Sequence, residues 1–151
     1  MFRPADKTGI FLPAIRIVEH PKKGYICLAT EDIAKGTLIE RCPTIKFAEN
    51  LLRQMWDLND GRVILHDYNF SRDGTGKGYT FFAMGYGGVY SHSEDPNAQW
   101  RIKDSQVNKR ETIEIRAIKD ITKGEEITIR YVTEPSELWF DMAEEEHETL
   151  E

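Results

Sequence analysis

Short runs rich in β-branched and aromatic residues recur along the chain, separated by Gly, Pro, Asp or Asn. They predict strands at Ile15 to Val18, Tyr25 to Ala29, Leu38 to Cys42, Val63 to Tyr68, Tyr79 to Met84, Thr112 to Ile118 and Ile127 to Tyr131. The main helical pattern is Ala48 to Leu58, where Leu51, Leu52, Met55 and Leu58 recur at helical spacing before Asn59-Asp60-Gly61 ends it. One helix among many short strands predicts a mostly β domain of the α+β kind.

The pattern also repeats itself once. Ala29-Thr30-Glu31-Asp32-Ile33-Ala34-Lys35-Gly36-Thr37-Leu38-Ile39 matches Ala117-Ile118-Lys119-Asp120-Ile121-Thr122-Lys123-Gly124-Glu125-Glu126-Ile127 at Ala, Asp, Ile, Lys, Gly and the last Ile. Each copy reads strand, turn, strand, with a Gly where the turn calls for positive φ. Two copies are too few for a solenoid.

At 151 residues the chain has the length of one domain, enough to bury a core without disulfides or metal. Its two cysteines, Cys27 and Cys42, sit inside apolar runs and read as reduced structural thiols; no zinc cluster can be built from them. No signal-peptide pattern and no apolar run of about 20 residues is present, so the reading is a soluble, intracellular protein, cytoplasmic or, in a eukaryote, nuclear. The net charge of −6 is unevenly spread: eight carboxylates and no Lys or Arg follow Thr133, leaving 18 acidic against 20 basic residues before it. An acidic tail on a nearly neutral body disfavours direct nucleic-acid binding and favours lysine-rich peptides. The expected organisation is an extension over 1–14, a core domain over 15–140 and an acidic tail over 141–151.

Two distant segments carry the chemistry. Ser91-His92-Ser93-Glu94-Asp95-Pro96-Asn97 is a polar, turn-forming stretch, and Gly124-Glu125-Glu126-Ile127-Thr128-Ile129-Arg130-Tyr131 is a strand that closes on tyrosine. In this order they resemble the Asn-His-Ser-x-x-Pro-Asn segment and the Gly-Glu-Glu-(Leu/Ile)-Thr strand of SET-domain protein-lysine methyltransferases. Three further segments are similar to that family. Lys23-Gly24-Tyr25-Ile26-Cys27-Leu28-Ala29 stands where Gly-x-Gly-Val-Phe-Ala is usual. Asp67-Tyr68-Asn69-Phe70 and Gly85-Tyr86-Gly87-Gly88-Val89-Tyr90 precede the polar turn, and Ser136-Glu137-Leu138-Trp139-Phe140 resembles the ending of small microbial SET proteins and, more loosely, of viral ones.

The resemblance implies a SET fold of short curved sheets, the β-clip, with a C-terminal pseudoknot and one principal helix. It implies S-adenosyl-L-methionine as cofactor and, as substrate, a lysine on a basic tail of histone type. It is a zinc-free form, without the cysteine-rich segment many relatives carry. By the same resemblance Gly24, Tyr25, Ile26, Ser91 and His92 contact the cofactor, Trp139 covers its adenine, and Tyr131 meets both cofactor and lysine as the catalytic residue. Tyr68, Phe70, Tyr86 and Tyr90 would line the lysine channel. The chemistry suits such residues: methyl transfer requires alignment of a neutral amine with the methyl carbon, and an apolar aromatic channel favours the neutral amine. No metal is called for. A homodimer is one state to test, because compact viral relatives pair.

Two departures matter. Ile26 replaces the second glycine of Gly-x-Gly, and Ser91 replaces an asparagine. They keep a second reading open: a catalytically silent SET-like module that binds basic peptides.

Overall fold

The computed structural model describes residues 13–58, 69–71, 78–104 and 110–131. Its elements run β1 (Ile15–His20), β2 (Gly24–Ala29), β3 (Leu38–Ala48), α1 (Glu49–Leu58), β4 (Asn69–Ser71), β5 (Tyr79–Ala83), β6 (Ser91–His92), β7 (Ala98–Asp104), β8 (Glu111–Ala117) and β9 (Thr128–Ile129). They form three sheets: β1-β2, the five-stranded β4-β5-β3-β8-β7, and β6-β9. Among the described residues no helix is long and apolar enough to cross a membrane, and no His, Cys, Asp and Glu cluster could hold a metal ion. By their contacts the described residues fall into two compact units, the first holding 13–41, 89–101 and 114–131, the second 42–58, 69–71, 78–88, 102–104 and 110–113.

The first unit opens with an antiparallel hairpin in register from Ile15↔Ala29 to His20↔Gly24. Ile26, Cys27, Leu28 and Ala29 are all buried, so this end of β2 is covered on both faces, as a continuous apolar run predicts. The internal repeat then folds as a pair of twin turns. Ile33 and Ile121 exchange both main-chain hydrogen bonds at 2.8 Å, and both side chains are buried. Lys35 N–H donates to Asp120 Oδ1 and Lys123 N–H to Asp32 Oδ1, each at 2.8 Å, so each aspartate caps the other copy's turn. Gly36 and Gly124 adopt φ of +88° and +87°, a region closed to most side chains. Their N–H groups bond Ala117 O and Ala29 O, again reciprocally and again at 2.8 Å. A repeat of eleven positions in the sequence has become a local two-fold arrangement that gathers Ile33, Ile121, Ile127 and Leu38 in one core.

In the second unit β3 pairs β5 from Thr44↔Ala83 to Ala48↔Tyr79, and β4 pairs the other edge of β5. Phe47 stacks on Phe82 at 4.7 Å, and the Lys46 ammonium lies 4.5 Å above the Tyr79 ring. Helix α1 follows β3 directly, with Glu49 in its first turn, where an acid complements the helix dipole. Of the apolar residues that predict the helix, Leu52 is buried while Leu51 and Leu58 are exposed. Gly87 is packed tightly: a Cβ there would collide with the Ala83 Cβ and reach Cys42 Sγ at 3.0 Å.

Most expected strands are present, with shifted ends. β3 runs on past Cys42 to Ala48 through Pro43, which cannot donate to a ladder but whose carbonyl accepts from Met84 N–H at 2.8 Å. Ile127 to Tyr131 narrows to the two residues of β9. β4, β6 and β7 carry too many polar residues to show as strands in the sequence. The Val63 to Tyr68 strand lies outside the described residues.

Candidate active site

The candidate site belongs to the first unit and is built where β6 and β9 run side by side. Their pairing is parallel, Ser91↔Thr128 and His92↔Ile129, which brings together segments 37 residues apart in the chain. Asn97 clamps the crossing. Its side-chain N–H donates to Glu126 O at 2.7 Å and its Oδ1 accepts from Thr128 N–H at 2.9 Å, so both ends of the amide are used. Ser93 N–H bonds Ile129 O at 2.9 Å, and Ser93 Oγ accepts from Asp95 N–H at 3.0 Å, which closes the Asp-Pro turn. Ser91, Ser93 and Asn97 are buried, consistent with this use of their polar atoms.

Tyr131 emerges from this crossing held at both ends. Its N–H donates to His92 Nδ1 at 2.8 Å, and its hydroxyl donates to Tyr90 O. The His92 and Tyr131 rings lie 5.3 Å apart. The His92 side chain is 3% exposed and its Nε2 is 2.8 Å from Glu94 Oε1. Tyr90, one residue before the turn, is fully buried and donates its hydroxyl to Glu40 Oε1 at 2.8 Å. Tyr90 thus receives Tyr131 on its carbonyl and offers its own hydroxyl to a buried carboxylate.

Gly24, Tyr25 and Ile26 open β2 behind the Pro21-Lys22-Lys23 turn. Gly24 has φ +82° and is exposed, with open space where a Cβ would sit. Tyr25 is 58% exposed, whereas Ile26 is 1% exposed, its side chain in the core. Two contacts set this turn. His20 Nδ1 accepts from both Lys22 N–H and Lys23 N–H at 3.1 Å, and Lys23 Nζ sits 3.0 and 3.3 Å from the Glu126 carboxylate oxygens, with both side chains largely buried. Glu126 therefore links the turn before Gly24 through its side chain and the Asn97 clamp through its carbonyl. Cys27 lies behind these residues, its thiol pushed up to about 12 by burial and by the charges of Glu40 and Glu126. That is a core thiol, protonated at neutral pH, and not a nucleophile. Neither cysteine is in a disulfide and both are buried.

Of the residues read from the sequence, the structure brings Ser91, His92, Tyr90 and Tyr131 together, and ties the Gly24 turn to the same crossing through Glu126. Phe70, buried, and Tyr86, 37% exposed, belong to the second unit. Tyr68 and Trp139 lie outside the described residues. Glu40, Glu94, His20 and Glu126 also serve the site and are not among the residues expected from the sequence. Glu40 had a visible signal, a carboxylate directly after Leu38-Ile39 in a strand; Glu94 and His20 have partners close by in the sequence but no pattern that marks them, and Glu126 shows only in three dimensions.

The geometry has counterparts. A family model for the SET domain matches residues 24–132, most of the chain, and the chain belongs to the SET-domain family of protein-lysine methyltransferases. A Schizosaccharomyces pombe protein named a histone-lysine N-methyltransferase specific for lysine 37 of histone H3 is 27% identical over 134 residues, covering 86% of this chain and 82% of the relative. Among solved structures, a candidate histone methyltransferase from Plasmodium falciparum aligns with a TM-score of 0.64 at 24% identity, over 84% of this chain and all of that one. A chain of the Polycomb Repressive Complex 2, bound to S-adenosylmethionine in an autoinhibited conformation, aligns with a TM-score of 0.63 at 22% identity, over 79% of this chain and 15% of that one. These likenesses establish the mostly β SET fold.

Proposed function

We propose that this chain transfers a methyl group from S-adenosyl-L-methionine to the side-chain amine of a lysine on a basic protein tail, of histone or histone-like kind. The observation that carries the reading is Tyr131, fixed by its main chain to His92 and by its hydroxyl to the Tyr90 carbonyl at the crossing of the two motif segments. The cofactor supplies an electrophilic methyl bonded to a cationic sulfur, which leaves as a neutral thioether when the amine attacks. The chain's task is alignment, which in well-oriented systems can supply roughly 7–11 kcal/mol of the barrier.

The residues fit that task. The exposed Gly24 turn offers main chain with no side chain over it, and Ile26 withdraws its side chain into the core, so the departure from Gly-x-Gly takes no room from the exposed face. Gly24, Tyr25, Ile26, Ser91 and His92 would hold the methionine part, and Trp139 the adenine. The Tyr131 hydroxyl, kept beside a carbonyl, orients the amine; the lysine proton is lost to water before attack, and apolar aromatic surroundings would favour the neutral amine. Tyr90 would act there through its carbonyl and not through its hydroxyl, which faces Glu40. The yeast relative's named substrate supports a histone-like tail, and with it a nuclear setting if the source is eukaryotic.

The test is incubation of the chain with methyl-labelled cofactor and a panel of histones and lysine-rich peptides. Label on lysine, lost in Tyr131→Phe, is the expected result. Failure to label any of them, together with no calorimetric heat on adding the cofactor, would overturn the reading in favour of a silent peptide-binding module. Sedimentation of the same sample gives the oligomeric state.

A further inference from the structure

The contact between His92 and Tyr131 has a polarity set by chemistry. A main-chain N–H can only donate, so His92 Nδ1, 2.8 Å from Tyr131 N, presents a lone pair. A neutral imidazole has one N–H, which must then be on Nε2, and Nε2 faces Glu94 Oε1 at 2.8 Å. With the His92 side chain 3% exposed, bulk water is a poor substitute for that acceptor. Glu94 is itself anchored: Arg130 Nη2 donates to the Glu94 carbonyl at 2.7 Å and lies 3.3 Å from Glu94 Oε2. Arg130 directly precedes Tyr131, so these contacts close a ring that returns to the same tyrosine.

We propose that Glu94 is a positioning residue for methyl transfer, its carboxylate holding His92 in the Nε2–H tautomer so that Nδ1 receives the Tyr131 main chain and sets the tyrosine against the Tyr90 carbonyl. Glu94 occupies an unspecified position of the Asn-His-Ser-x-x-Pro-Asn pattern, so the device belongs to this chain and not to the motif. In the other tautomer two N–H donors would face each other, and the Tyr131 main chain would have to move. Partners that fix the tautomer of a metal-ligating imidazole matter by about 10- to 100-fold, and the same order is expected for this metal-free one. The effect on turnover rests on the function proposed above; the tautomer itself does not.

Long-range ¹H–¹⁵N correlation on the full chain labelled at histidine reads the tautomer directly, and steady-state methylation reads its consequence. The wild type is expected to show His92 with the proton on Nε2. Glu94→Leu is expected to shift His92 toward the Nδ1–H form, move the Tyr131 amide resonance and lower kcat about 10- to 100-fold. Glu94→Gln keeps an acceptor oxygen and is expected to retain the tautomer and recover most of the lost kcat. An Nδ1–H tautomer in the wild type overturns the proposal. So does a Glu94→Leu variant with unchanged tautomer and kcat, or a Glu94→Gln variant as impaired as Leu, which would assign the effect to the charge pair with Arg130. Should Glu94→Leu fail to fold, the wild type and Glu94→Gln still decide. If the wild type methylates nothing, the function fails while the tautomer measurement still judges the Glu94 link.

Discussion

The twin turns around Gly36 and Gly124 share sequence, φ, capping aspartates and hydrogen-bond lengths, yet the strands that leave them do different work. The first turn leads into β3 and delivers Glu40 to the Tyr90 hydroxyl. The second leads through Glu126 and β9 and delivers Tyr131 to the Tyr90 carbonyl. One copy therefore buttresses from within the residue that the other copy's tyrosine touches. The exposure differs as well: Gly36 is exposed and Gly124 buried. Repetition has built the frame, and the residues just outside the repeat have divided its use between support and chemistry.

The largest effect expected from breaking this division is at Tyr131. Tyr131→Phe removes only the hydroxyl that meets the Tyr90 carbonyl, so melting should change little while methyl transfer falls on the order of 10²-fold or more. Next comes the supporting side. Tyr90→Phe leaves the Glu40 carboxylate, 4% exposed, without its 2.8 Å hydroxyl donor, and losing a hydrogen bond to a buried charged group costs about 1.5–3 kcal/mol. Urea denaturation should show that loss, and Glu40→Gln combined with Tyr90→Phe should recover part of it. If Tyr90→Phe instead lowers turnover with no change in stability, the two sides of Tyr90 do not divide as described.

How far the sequence foretold this follows from where its signals came from. The twin turns were legible because Asp, Ile, Lys and Gly recur at fixed offsets, and those are the residues whose capping and left-handed geometry make the turn. The helix was legible from its spacing, its start displaced by only one residue, to Glu49. β7 was not: Gln99, Arg101, Lys103 and Asp104 dilute its apolar residues, and it forms because β8 is there to pair with. The same limit governs the site. Ser91, His92 and Tyr131 stood out through motif order; Glu94 and His20 bond residues two or three positions away but carry no pattern that marks them, and Glu126 acts through partners that only the fold brings near. Lys23 and Glu126, 103 positions apart, are the extreme case.

His20 offers a sharper test of such support than its position suggests. Its Nδ1 takes the place that an Asn or Asp oxygen would hold in a turn capped by a side chain. His20→Asn should therefore preserve the Gly24 turn, while His20→Gln sets its amide at the Nε2 position and should weaken cofactor binding several-fold, on the order of the 1 ± 0.5 kcal/mol of a typical hydrogen bond. Calorimetric titration with the cofactor separates the two. Equal loss in both variants would mean that the imidazole contributes bulk and not an acceptor.

The smallest effects bear most directly on the symmetry. Asp32→Ala and Asp120→Ala each remove a 2.8 Å cap from the opposite turn, and each should cost about 0.5–1.5 kcal/mol in urea denaturation. Because both caps bracket the same Ile33–Ile121 bridge, loosening one turn should already weaken the other, so the double variant should cost less than the sum of the singles. Methylation adds the asymmetry. Asp32→Ala frees the Lys123 end, from which the chain runs on to Glu126 and Tyr131, whereas Asp120→Ala frees the Lys35 end, from which it runs to Glu40. Activity at a temperature well below unfolding should fall more in Asp32→Ala than in Asp120→Ala. Equal stabilities with reversed activities would show that the site is coupled more closely to the first turn, and that the second is the frame.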